Sequence, residues 1–256
     1  MHRLRNLMLA ACVALVAVAP VSAHASKVEK SERLVNLHDL KTTVAIGDYY
    51  LKQESLLAAR AYLYRLGRER GLGPQWTPSN PYWQQAQAQM LHSLTQQVQR
   101  EYSSMEWLSE QWSALNNAEL SEPEMDALLV HFSSEMGRKQ VMIVDHSVAF
   151  HVVSTLTMSG KLQENLPGSE AERTRMQALY TSEDEAMRFD PNDSPEATRF
   201  ALSPVGKKYF VNAVLKVSGM VSQRLFRLAG ELPARADALA PEVDSMVEAF
   251  RRARSG

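Results

Sequence analysis

Two copies of one short phrase constrain this chain more than any other feature: Ser134-Glu-Met-Gly137-Arg138-Lys139 and Ser203-Pro-Val-Gly206-Lys207-Lys208. Each lies between two runs of apolar residues at helical spacing, so each reads as an elbow joining two helices. The Ser at the head of each phrase suits a helix cap, because its hydroxyl accepts from an amide that the first turn leaves unpaired. Pro204 suits the first helical position, where a missing N–H costs nothing. Gly137 and Gly206 then fall in the first turn, where the lack of a Cβ lets another helix come close.

The rest of the chain keeps the helical period. Leu34, Leu37, Leu40 and Val44 predict one amphipathic helix over about 27–46, and Asp48 to Arg70 continues in the same style. Gly71 to Pro81 breaks the pattern, with three prolines and two glycines. Tyr82 to Leu115 carries apolar residues at steps of three and four, and predicts a single helix about 50 Å long. Ser121 and Glu124 form a capping box, and Ser169 with Glu172 forms a second that opens a charged helix to about Phe189. Lys139 to Met158 is apolar nearly all round and is the expected central helix. Val205 to Leu228 repeats it. Pro233 and Pro241 punctuate a final helix, whose Arg251 to Arg254 end is expected to be a solvated tail. No segment alternates as a strand would. The expectation is an all-α multi-helix bundle, divided into a signal peptide (1–25), a helical domain (26–160) and a helical C-terminal region (161–256) with the second copy of the phrase.

The first 25 residues have the form of a secretory signal. Arg3 and Arg5 precede an apolar stretch from Leu7 to Ala19, and Ala23-His24-Ala25 is a cleavage site of the A-x-A type. Cleavage before Ser26 is expected. Cys12 follows Leu9-Ala10-Ala11 in the form of a lipoprotein box, but a cut there leaves too short an apolar stretch before it. The expected location is therefore the periplasm. Without the signal the chain has no thiol, which removes disulfides and thiolate chemistry. Loss of Arg3 and Arg5 leaves 26 basic against 29 acidic side chains, net −3. That balance gives no electrostatic basis for binding nucleic acid. Asp145, His146 and His151 interrupt the most apolar later stretch, so Val141 to Leu156 reads as a helix buried in protein and no membrane span is expected after the signal.

Residues 120–139, Leu-Ser-Glu-Pro-Glu-Met-Asp-Ala-Leu-Leu-Val-His-Phe-Ser-Ser-Glu-Met-Gly-Arg-Lys, resemble the core of the DUF2059 family of bacterial envelope proteins. That family carries an acidic capped helix, an aromatic residue and then Ser-Pro-x-Gly-Lys-Lys. Glu135 stands here where the family commonly has Pro. Phe200 to Phe210 looks like a second copy of the half-motif. The resemblance implies a secreted helical protein and brings no catalytic residues.

Among candidate sites, the elbows set Ser134, Gly137, Arg138 and Lys139, and Ser203, Gly206, Lys207 and Lys208, at helix N-termini, where free amides and the helix dipole favour an anion. A phosphate, a lipid headgroup or a peptidoglycan carboxylate would fit, although caps and close packing explain every residue there except the cations. His131, Glu135, Asp145, His146 and His151 have metal-ligand chemistry but not ligand spacing, so hydrogen-bonded core histidines are expected rather than zinc. Glu54-Ser55 has the start of a lytic transglycosylase acid without the segment that should follow. Trp76, Trp83, Trp107 and Trp112 read most simply as core; Trp76 and Trp83 also flank the Pro-rich loop, where partial exposure would serve a ligand or partner. No nucleophile elbow, Walker loop or dinucleotide fingerprint occurs, so no cofactor is expected. The sequence points to a non-catalytic binding or scaffolding protein with a protein partner or a second copy as its ligand. The alternative, suggested by compartment alone, is an enzyme acting on the cell wall.

Overall fold

The computed structural model describes residues 26–102, 105–159 and 195–255. The expected signal peptide with Cys12, the expected Ser169–Glu172 box and the expected turn before Pro195 lie outside them. The described chain is all-α, with no strand. In chain order the helices are α1 (Lys27–Val35), α2 (Lys41–Glu69), α3 (Pro81–Tyr102), α4 (Met105–Glu119), α5 (Glu122–Ser133), α6 (Glu135–Met158), α7 (Pro195–Leu202) and α8 (Pro204–Val211). A π-helical segment, Asn212–Val217, leads from α8 directly into α9 (Ser218–Ala238), and α10 (Ala240–Ser255) ends the described chain.

Local chemistry starts several of these helices. Ser26 and Glu29 form a capping box at α1, and Ser121 and Glu124 form the expected one at α5. The expected helix over 27–46 is instead two helices, broken at 36–40. α1 turns away to pack on α4 and α5, while α2 packs on α3, α6 and α9. The break frees His38 and Asp39 to reach Asp145 on α6, contacts a continuous helix would not place there. The 82–115 pattern occupies α3 and α4, which together extend to Glu119.

α2 and α3 are antiparallel, tied by the Tyr102 hydroxyl donating to the Thr43 carbonyl at 3.3 Å and by Arg60 Nε donating to Gln87 at 3.2 Å. Their connection contains Gly71 at φ 63° and Gly73 at φ 79°, a left-handed backbone that favours glycine. Leu72, Trp76 and Trp83 are all buried around it. The core reading of the two tryptophans holds and their partial exposure does not: the Pro-rich segment folds back over α2 and takes Trp76 inward, where its indole N–H donates to the Leu63 carbonyl at 3.0 Å.

Residues 195–255 share one apolar core with residues 26–159. Two helices share the central position: α9 packs on α2, α3, α6, α10 and the π segment, and α6, the expected central helix, packs on α2, α5, α7, α9 and the π segment. Pro233 lies inside α9 without ending it, and Pro241 sits in the first turn of α10. Arg251 to Arg254 is not a loose tail. Its backbone is helical, Arg251 donates to the Arg70 carbonyl at 3.2 Å, and Arg254 donates to the Leu72 carbonyl. Of the described helices, α6 alone is long and apolar enough to cross a membrane by length and composition.

Candidate functional site

The two elbows share their chemistry atom for atom. Ser134 Oγ accepts from the Gly137 amide at 2.9 Å and donates to the His131 carbonyl at 2.7 Å. Ser203 Oγ accepts from the Gly206 amide at 3.1 Å and donates to the Phe200 carbonyl at 2.6 Å. A Cβ at Gly137 would lie 2.1 Å from the His131 carbonyl oxygen, and one at Gly206 would lie 2.1 Å from that of Phe200. The close neighbour that requires glycine is thus the last turn of the preceding helix, where the sequence suggested another helix.

The elbows also meet. The His131 and Phe200 rings, three residues before each capping Ser, stack at 3.5 Å and 8°. Gln140, three residues after Gly137, bridges them: its Oε1 pairs with His131 Nε2, and its Nε2 donates to the Ala197 carbonyl at 2.9 Å. His131 is therefore a hydrogen-bonded, stacked histidine. The elbow cations find protein acceptors. Arg138 donates to the Ser133 carbonyl at 2.8 Å, Lys139 pairs with Glu135 at 3.5 Å, and Lys208 lies 3.1 Å from Glu124, while Lys207 is exposed. Glu124 is held well below the usual carboxylate range, first by the Ser121 amide and then by Lys208.

A second convergence, centred on His38, was not visible in the sequence. Its Nδ1 lies 2.5 Å from Asp145 Oδ1, its Nε2 bonds the Tyr209 hydroxyl, and its ring stacks on Trp112 at 4.2 Å. Asp145 Oδ2 accepts from the Asp39 amide at 2.9 Å. An ionised Asp145 can only accept, so Nδ1 carries the proton and Nε2 accepts from Tyr209. Burial, with the Asp145 charge nearby, pushes the Tyr209 phenol well above its ordinary value and keeps that proton in place. The His38 side chain is 0 % exposed and that of Asp145 is 15 % exposed, and the trio works as a tie between the 36–40 break, α6 and α8. The one sequence sign of it was a His-Asp pair inside an apolar run.

Beside this tie, α4 packs on the π segment. His38 joins Trp112 to Tyr209 at one end, and Glu119 pairs with Lys216 at 2.8 Å at the other, seven residues along each strand of chain. Asn116 lies in α4 between Trp112 and Glu119, and Asn212 opens the π segment. Both are buried, and Asn116 Nδ2 and Oδ1, Asn212 Nδ2 and Trp112 Nε1 have no hydrogen-bond partner among the described residues.

Of the remaining candidates, Asp145 goes to His38, and among the described residues no three His, Cys, Asp or Glu gather as a metal site. Ser55 donates to the Leu51 carbonyl within α2 at 2.7 Å, and Glu54 is half-buried on the same helix. At the far end of α2 a surface groove of about 440 Å³ is lined by Tyr64, Gly67, Arg68, Gly71, Gly73 and Trp76. Comparison of the chain with protein-family models, curated proteins and solved structures finds no match in any of the three.

Proposed function

We propose that this is a non-catalytic binding or scaffolding protein of the bacterial cell envelope, acting in the periplasm through a protein partner or a second copy of itself. The observation that carries the reading is the outward face of α6. In a helix otherwise packed against α2, α5, α7 and α9, Met142 and Phe150 remain 53 % and 50 % exposed, eight residues apart. Large apolar side chains displayed on a core helix suit a partner's surface. Catalysis needs a titratable group that a substrate can reach, and His38, the centre of the trio with Asp145 and Tyr209, is 0 % exposed. The periplasmic assignment rests on the form of residues 1–25.

The test is to sediment the purified protein and the Met142→Asp/Phe150→Asp variant, with envelope pull-downs on each. Association or partner capture by the parent, lost in a variant of unchanged circular dichroism, supports the reading. A strictly monomeric parent whose captured proteins are the same as the variant's overturns it. Intact mass from the envelope fraction reports the compartment, with a chain starting at Ser26 expected.

A further inference from the structure

We propose that the groove at the C-terminal end of α2 binds a small organic anion: a carboxylate carried on a six-membered ring. This goes beyond the α6 surface, since the groove lies on other elements. Its volume of about 440 Å³ is that of a small-molecule site. Two of its walls are glycine backbone, from Gly71 and Gly73 with their left-handed φ angles and from Gly67, which touches Trp76. Backbone walls let a ring lie close. Tyr64 supplies an aromatic ring: the residue is 46 % exposed, and the ring lies 4.6 Å from that of Trp83 at a tilt of 55°.

Charge selects the ligand. Five arginines surround this end of the molecule, and four are engaged by the protein. Arg65 pairs with Asp237 and Glu69, Arg70 with Asp244, Arg251 with Glu248, and Arg254 donates to the Leu72 carbonyl. Arg68, the one that lines the groove, is exposed and has no ion pair or hydrogen bond from its side chain among the described residues. No Asp or Glu lines the groove to compete for it. A guanidinium's planar fork matches a carboxylate in two parallel hydrogen bonds, which is the group we assign to it. The walls are set before any ligand arrives: Leu72 is buried, Trp76 is pinned to Leu63, and Arg254 holds the loop from outside. Such pre-organisation lowers the ordering cost of binding.

Both a carboxylated sugar and an aromatic acid offer this chemistry. The experiment is an NMR titration of the ¹⁵N-labelled protein with N-acetylmuramic acid and with benzoate, each beside its uncharged counterpart, N-acetylglucosamine and benzamide. Saturable shifts of the Gly71 and Gly73 amides and the Trp76 indole N–H are expected with at least one acid. The acid that acts identifies the source as envelope glycan or aryl compound. Arg68→Gln should weaken that binding about tenfold, or about 1.4 kcal/mol, and leave the rest of the spectrum in place. Tyr64→Ala should weaken it as well. The proposal is overturned if neither acid moves these signals, if the uncharged ring moves them equally, or if Arg68→Gln binds as the parent does. None of these outcomes depends on the α6 face.

Discussion

The His131 ring lies flat on the Phe200 ring, 3.5 Å away and 8° from parallel, and the two residues hold the same position in two copies of one elbow. Each carbonyl also accepts from the capping Ser of its own elbow and closes off the space beside its glycine. One pair of residues therefore does three jobs. It ends a helix, fixes the bend into the next, and joins the two bends face to face.

Elbow glycines should resist substitution by alanine against the usual trend. A helical Gly→Ala change stabilises by about 0.4–1 kcal/mol where space allows. Gly219 and Gly230 in α9 have nothing within 4 Å of a Cβ and should follow that rule. Gly137→Ala and Gly206→Ala meet a backbone oxygen at 2.1 Å and should cost at least about 1–3 kcal/mol each. Urea unfolding of the four variants checks this, and a gain at either elbow contradicts the geometry.

His38→Phe keeps a ring to stack on Trp112 but removes both hydrogen bonds. It leaves the Tyr209 hydroxyl buried with no partner, and Asp145 with only the Asp39 amide. A loss of about 2–4 kcal/mol is expected in urea unfolding. Asp145→Asn keeps an oxygen for His38 Nδ1–H but turns its NH2 on the Asp39 amide, so it loses one hydrogen bond instead of two and should cost less. Equal costs would mean that the ionic character of the pair, not the hydrogen bond, dominates.

Acid should reveal Glu124. Its carboxyl is depressed below its ordinary value of 4.5, so the stability it supplies is complete above that pH and lost as pH falls through the lower folded value. Thermal melts of the parent and Glu124→Gln, measured from neutral pH downward, should converge below about pH 4.5. A constant gap between the two curves would assign the effect to packing.

Pro233 should be a cost that α9 tolerates. It is exposed, and it denies the Ala229 carbonyl its helical donor. Pro233→Ala should raise stability by about 1 kcal/mol or more, read as a higher urea midpoint.

What the sequence by itself determined is local. The period of the apolar residues set the helices, and Ser121, Ser134 and Ser203 marked where three of them begin, because capping depends on a hydroxyl and amides within three residues. Gly137 and Gly206 were legible for the same reason, since the atoms they avoid are six residues away in the chain. Tertiary structure decided everything that needed a distant partner. Leu34, Leu37 and Leu40 keep helical spacing straight through the break at 36–40, and only Asp145 and Tyr209, more than a hundred residues on, make it worthwhile for His38 to leave the helix. The apolar character of Trp76 and Trp83 suited a core, but what covers them beside the Pro-rich loop, Tyr64 of α2 and Phe250 of α10, took the fold to decide. The aromatic and arginine of the groove sit on α2 four residues apart, as on any helix. That one of them faces a glycine-walled cavity without a counter-charge follows from where the other charges fell, and a linear pattern does not record that.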